Sequence, residues 1–333
     1  MNLRLFTCLG LLSIATCFNI KADEAAAKIQ IADFKGDKAG AVSYTFDDGL
    51  RNQYLLAAPV MERLHIPGTF FVIPGEVAAS TPELEAKKPG AWGGVTWDEV
   101  RSFASKGFEI GNHGYSHENL AKLTDKPDEL EREIEYSADV IERETGTFPV
   151  SFCYPYNSFN EQIESIVNRR HAVARTFQQG FGARDTTAES LNRWVDNLIS
   201  GREWGVTMIH GLTDGFDPMR PEVFEAHMTY AKSRESDLWI DTFGNIGRYV
   251  AERDSTIVTD VKTDSDKVSF IPVCSLDAKR FNVPLTFIIL TDSDISRATA
   301  RQDKTTLPVT VTDGRIMVDC IPGAGRVTVK WNK

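Results

Sequence analysis

Between residues 41 and 252, short β-branched or aromatic runs alternate with longer segments whose apolar positions recur every three or four residues. The short runs lie at 41–47, 69–73, 108–112, 151–155, 172–177, 206–210 and 238–243, and each predicts a buried strand. The clearest helix is predicted over 128–144, where Leu130, Ile134, Ala138 and Ile141 share one face and most other positions are charged. After Asp48 the helical pattern meets Pro59, which has no backbone N–H, so a break is expected in the first crossover with the helix restarting from Pro59. Serial βα units favour parallel strands with right-handed crossovers, as an open doubly wound sheet or a barrel. Past residue 251 the pattern changes. Strands are predicted at 267–273, 285–290, 315–318 and 326–331 between Asp, Gly and Pro turns, as a small β-sandwich over 256–333.

A chain of 333 residues, 42% hydrophobic and 25% charged, has room for one large domain with a small one attached. The net charge of -10 is spread out rather than blocked, which argues against a nucleic-acid partner. The first 22 residues differ from the rest: Arg4 precedes an apolar run from Leu5 to Phe18, and small residues follow at Ala22 and Ala25. This predicts a signal peptide over 1–22 and a secreted or periplasmic product, because the run is too short to span a bilayer. No other run reaches that length, so no integral membrane segment is expected after cleavage. Ile14-Ala15-Thr16-Cys17 is the alternative, a lipid anchor through Cys17. Beyond Cys8 and Cys17 in the leader there remain Cys153, Cys274 and Cys320, of which Cys274 and Cys320 could bridge in an oxidising compartment. Nothing in the pattern speaks to oligomeric state.

The residues with chemical potential sit where predicted strands end. Asp47 and Asp48 close the first, His113 follows the third, Tyr156 follows the fourth and His210 closes the sixth. In parallel α/β architectures these ends open onto one face, where active sites lie. His113 and His117, four apart, can point at one ion, and a carboxylate from another strand end would complete a His₂-carboxylate set with open positions. Asp-Asp-Gly alone is an ordinary turn or helix cap. Beside the histidine pair it reads differently: adjacent residues leaving a strand point to different sides, so one Asp can ligate while the other handles a proton. His210 is then a general acid or base delivered to the same face.

Together these residues resemble the polysaccharide deacetylases that share the NodB-homology domain, carbohydrate esterase family 4. Thr45-Phe46-Asp47-Asp48-Gly49 resembles the family's first motif, which implies Asp47 as base and Asp48 as metal ligand. His113 to His117 resembles the second, His-(Ser/Thr)-x-x-His, and implies both histidine ligands. Cys153-Tyr154-Pro155-Tyr156-Asn157 is similar to the third, Arg-x-Pro-Tyr-Gly, implying an oxyanion-stabilising N–H from Tyr156. Met208-Ile209-His210 is similar to the fifth, Leu-x-His, implying Met208 in the acetyl pocket and His210 as acid. The resemblance implies a distorted (β/α)7 barrel over 23–253 with the β-sandwich as accessory domain, a divalent ion (zinc from the ligand types, with cobalt, nickel or manganese able to take the same set), and an acetylated glycan substrate. N-deacetylation of N-acetylglucosamine-type sugars is the leading expectation; an O-acetyl esterase on xylan-like glycan and an inactive glycan-binding module are the alternatives.

Three departures from the family pattern bear on the site. Gly114 stands where a hydroxyl residue is usual, which predicts a looser loop. Cys153 replaces the arginine that pairs with the base, leaving Arg175, Arg184, Arg193 and Arg202 as possible substitutes. The fourth motif is not recognisable; Trp194, beside Asp196, or Trp204 could wall the acetyl pocket, or simply pack in the fold.

Overall fold

The computed structural model describes residues 27–87, 94–182, 185–291 and 295–332. The leader call over 1–22, with Cys8 and Cys17, and the candidate Arg184 lie outside them. The first strand, β1 (Lys28–Ile31), belongs to the C-terminal sheets. The next nine build a curled parallel sheet: β2 (Gly40–Ser43), β3 (Thr45–Phe46), β4 (Thr69–Val72), β5 (Glu109–Asn112), β6 (Ser151–Cys153), β7 (Val173–Arg175), β8 (Gln179–Gly180), β9 (Trp204–Met208) and β10 (Leu238–Ile240). One run orders β3-β4-β5-β6-β7 and the other β10-β2-β9-β8. Tyr44 kinks the first predicted strand into β2 and β3, so its start pairs with β9 and β10 while its end pairs with β4. A parallel bridge between Phe46 and Ile209 draws the two runs together. The result is the distorted seven-position barrel expected, not an open sheet.

Alternation along each strand decides what faces the barrel interior. Phe46 and Phe70 point outward and stack at 4.6 Å, and Phe70 stacks on Phe103 of the helix Trp97–Ser105 at 4.1 Å. The opposite set, including Phe71, Cys153 and Arg175, fills the interior. Gly111 has to be glycine there: a Cβ would come within 2.4 Å of the Phe71 ring and 2.8 Å of Ser151 Oγ.

The helices carry two surprises. Gln53–Ala57 is π-helical and runs directly into Ala58–Leu64, so Pro59 sits in a first α-turn without the expected break. The predicted 128–144 helix spans Pro127–Thr145 with a π-turn at Arg132–Tyr136. A π-turn widens the ring and frees carbonyls from the regular ladder, and here that freedom serves the site.

The C-terminal part is a two-layer antiparallel sandwich. One sheet orders β1 with β13 (Leu285–Leu290), β17 (Arg315–Cys320) and β16 (Val309–Thr312); the other joins β11 (Thr256–Asp264), β12 (Lys267–Cys274), β18 (Val327–Asn332), β14 (Arg297–Gln302) and β15 (Thr305–Leu307). Phe270, Phe287, Ile289, Val329 and Trp331 fill the space between them. Tyr249, from the last barrel helix Phe243–Asp254, enters the same core and donates to Ala32 O at 3.0 Å. β11 escaped the sequence reading because none of its residues is buried, so no apolar alternation marks it. Cys153, Cys274 and Cys320 are all free thiols, so the possible Cys274–Cys320 bridge is absent. Among the described residues, no helix is long and apolar enough to cross a membrane.

Candidate metal and catalytic site

The C-terminal strand ends converge on a cleft of about 410 Å³ lined by Asp47, Asp48, His113, His117, Tyr156 and His210, with Met208 and Arg175. Asp48 Oδ1 lies 3.4 Å from His113 Nε2 and 3.4 Å from His117 Nε2, and the three donor atoms lie within 4.8 Å of one another. Around a tetrahedral ion held at about 2.1 Å, neighbouring donors are separated by about 3.4 Å. Asp48 Oδ1 is also buried without a hydrogen bond, which a bound cation would remedy. The donor set therefore fits a divalent ion.

The imidazoles are held from behind. His113 Nδ1 donates to the Cys153 carbonyl at 2.8 Å, which leaves Nε2 as the free donor atom toward the cleft. The His113–His117 turn is fixed by Asn112, whose Oδ1 accepts from Gly114 N at 3.1 Å and from Ser137 Oγ at 2.7 Å, and whose amide donates to Ile134 O at 3.0 Å. Buried Glu133 accepts from Ser116 N at 3.0 Å and from Ser116 Oγ at 2.6 Å. Glu133 and Ile134 both lie in the π-turn. The expected looseness at Gly114 is therefore absent: φ there is +77, a region glycine takes without strain, and its neighbours are anchored on both sides.

Asp47 is clamped by Arg175. Arg175 Nη1 donates to Asp47 Oδ1 at 2.7 Å and to Thr45 Oγ1 at 2.7 Å, Nη2 donates to Asp47 Oδ2, and the guanidinium lies 5.2 Å from the Phe71 ring centroid. Burial alone would raise the Asp47 pKa, but the charge and hydrogen bonds of Arg175 outweigh it and hold the carboxyl below its ordinary value. Asp48 behaves likewise: burial raises it, and the His113 contact brings it below normal. For His113, burial is outweighed by Cys153 and the two carboxylates, which raise it well above the usual value; His117 is lowered, by burial and then by His113. Of the substitutes for the third-motif arginine, Arg175 is the one brought to Asp47; Arg202 instead pairs with Asp33 on the surface.

Tyr156 and Asn157 both hold left-handed backbone, φ 58 and 51. Asn157 stands where the family pattern has glycine, and asparagine tolerates this region better than most residues. The Tyr156 ring lies 4.7 Å from His117 and is 65% exposed at the cleft mouth. Across from it, His210 makes an edge contact with Phe216 at 5.1 Å. Gln53 ties the two sides together by donating through its amide to the carbonyls of Asp47 and His210. Neither tryptophan walls the cleft. Trp194 packs on Phe181 at 5.0 Å, Trp204 stacks on Phe243 at 5.4 Å, and Asp196 accepts from Tyr230 on the helical surface. Phe216, which carried no sequence signal, lines the cleft instead.

Residues 35–173 match the sequence model of the family described as Polysaccharide deacetylase. The peptidoglycan-N-acetylglucosamine deacetylase of Bacillus cereus is 30% identical over 192 residues, covering 55% of this chain and 62% of that protein. A gellan lyase from a Bacillus species is 23% identical over 341 residues, covering 90% of this chain but 13% of the lyase. The chain thus spans less than two thirds of either relative. Among solved structures, a peptidoglycan N-acetylglucosamine deacetylase aligns with a TM-score of 0.46 at 21% identity, over 62% of this chain and 88% of the other. The match at residues 35–173 spans the first, second and third motifs, so this part of the chain carries a polysaccharide deacetylase domain.

Proposed function

We propose that the protein removes acetyl groups from an extracellular glycan, N-acetylglucosamine-type sugars first among them, using zinc held by Asp48, His113 and His117. One observation carries this reading: a buried carboxylate oxygen without a hydrogen bond faces two imidazole nitrogens, next to a second carboxylate clamped by arginine. When bound, such an ion supplies Lewis acidity toward an acetyl carbonyl and acidifies a water molecule.

The chain's own residues supply the proton chemistry. Asp47, kept ionised by Arg175, takes a proton at a carboxylate oxygen; each oxygen retains acceptor capacity beyond its arginine bond. The backbone N–H of Tyr156 serves as donor to the developing oxyanion. His210 hands a proton from its ring to the departing nitrogen, which an amide requires because an amine anion is a very poor leaving group. Met208 supplies apolar surface for the acetyl methyl. Loss of the third-motif arginine at Cys153 favours an inactive binding module, and the Arg175 clamp on Asp47 counts against that reading. Secretion is proposed from the leader pattern over 1–22.

Acetate release from peptidoglycan, chitin oligomers and acetylxylan, with and without chelator, tests the proposal. Chelator-sensitive release from the N-acetylated glycans is expected. Release from acetylxylan alone would replace amide with ester hydrolysis, and no release from a metal-loaded protein would remove the proposal.

A further inference from the structure

The arginine on Asp47 comes from a different strand than the family pattern places it. We propose that Arg175 is the positioning residue of the catalytic base and that positions 153 and 175 have exchanged roles, a proposal that rests on Asp47 being the base. Cys153 and Arg175 are direct partners in the parallel pairing of β6 with β7. Such partners present their side chains to the same face of a sheet, here the barrel interior. Strands lie about 4.8 Å apart, and the three methylenes and guanidinium of arginine are long enough to cross that extra spacing.

The contacts are those of a positioning group. Arg175 is 1% exposed, forks onto both oxygens of Asp47, and is itself oriented by Thr45 Oγ1 and the face of Phe71. A bidentate fork fixes the plane of a carboxylate as well as its charge. The small residue at 153 is the complement of this arrangement. Cys153 Sγ stands 3.9 Å from Asp47 Oδ2, so an arginine there as well would press two buried cations against one carboxylate.

The test compares the full-length protein with Arg175→Ala, Arg175→Lys, Cys153→Arg, the exchange Cys153→Arg/Arg175→Cys and the pair Asp47→Asn/Arg175→Ala, reading kcat, KM, metal content and Tm. Arg175→Ala should lower kcat by roughly 10²-fold, with KM changed less than about threefold and the metal retained. Arg175→Lys should recover only part, because an ammonium cannot form the fork. The exchange should bring kcat back to within about tenfold of the parent, whereas Cys153→Arg alone should lower Tm. A folded, metal-loaded exchange variant no better than Arg175→Ala overturns the proposal, as does an Arg175→Ala protein as active as the parent. Pairing is read separately from activity: Arg175→Ala should lower Tm and Asp47→Asn should restore it in that background. If the parent releases no acetate from any glycan, the functional reading fails, and this Tm coupling alone decides whether Arg175 holds Asp47.

Discussion

Asp48 and His117, whose donor atoms stand 3.4 Å apart, both hold left-handed backbone, with φ of 71 and 60. Non-glycine residues in this region cost about 1 kcal/mol or more each and persist where surrounding structure enforces them. Two of the three candidate ligands are therefore aimed by strained backbone. Asp48→Gly should abolish metal binding while raising the Tm of the metal-free protein, since it removes both the strain and an unpaired buried oxygen. Elemental analysis and thermal unfolding read the two effects, and an unchanged metal content would end the ligand assignment.

The division of labour between the adjacent aspartates gives a second expectation. Asp47→Asn should lower turnover by roughly 10²- to 10⁴-fold, the scale of a general acid–base group, and leave the metal in place. Loss of metal from this variant would mean that the two roles are reversed or shared.

Glu133 reaches the site only through Ser116, yet it is buried and accepts two hydrogen bonds from that residue. Outer partners of ligand-bearing segments typically govern metal affinity by 10- to 100-fold. Glu133→Ala should weaken zinc binding by about that much, whereas Glu135→Ala, two residues on and paired with Arg169 at the surface, should not. Zinc competition against a chromogenic chelator measures both.

Two histidines away from the cleft set a pH limit on stability. Burial lowers the pKa of His171 and of His227 to about 4, against the opposing pull of the Val167 O bond in His171; the rings also contact Asn112 (His171) and Tyr44 and Asn192 (His227). Because the folded values lie below the unfolded 6.5, the unfolded chain binds protons first. The stabilisation is whole above about pH 6.5 and is lost as pH falls toward 4, about 3 kcal/mol for each ring. Tm measured from pH 7 to 4 should fall less steeply for His227→Gln than for the parent; parallel curves would exclude His227 as a source.

The site was legible in the sequence to the extent that it depends on strand ends. Asp47, Asp48, His113, Tyr156 and His210 could be grouped because parallel strands deliver their C-terminal ends to one face, whatever their lateral order. Arg175 could not be chosen over Arg202 on the same logic, because its role depends on which residue of β6 it faces, and register between strands separated by a helix leaves no local trace. Phe216 was invisible for a related reason: it reaches the cleft on a loop, where no periodicity reports direction. The π-turn at Arg132–Tyr136 was read as uninterrupted helix, since the apolar spacing from Leu130 to Ile141 is satisfied either way. In the C-terminal part, β12, β13, β17 and β18 were found, and β11, β14, β15 and β16, whose residues are mostly exposed or half-buried, were not.

β1 pairs with β13, Ile29 opposite Ile289, while the whole barrel is formed by chain that lies between them. The sandwich thus draws on chain from both sides of the barrel, and this pairing can form only once β13 is available. Contacts so distant in sequence are slow to form, so β1, with Ile29 and Ile31 as its apolar positions, is expected to stay unpaired until β13 is in place. A barrel cut free of residues 256–333 would keep that strand without its partner, and a soluble barrel fragment should begin after residue 31 rather than at residue 23.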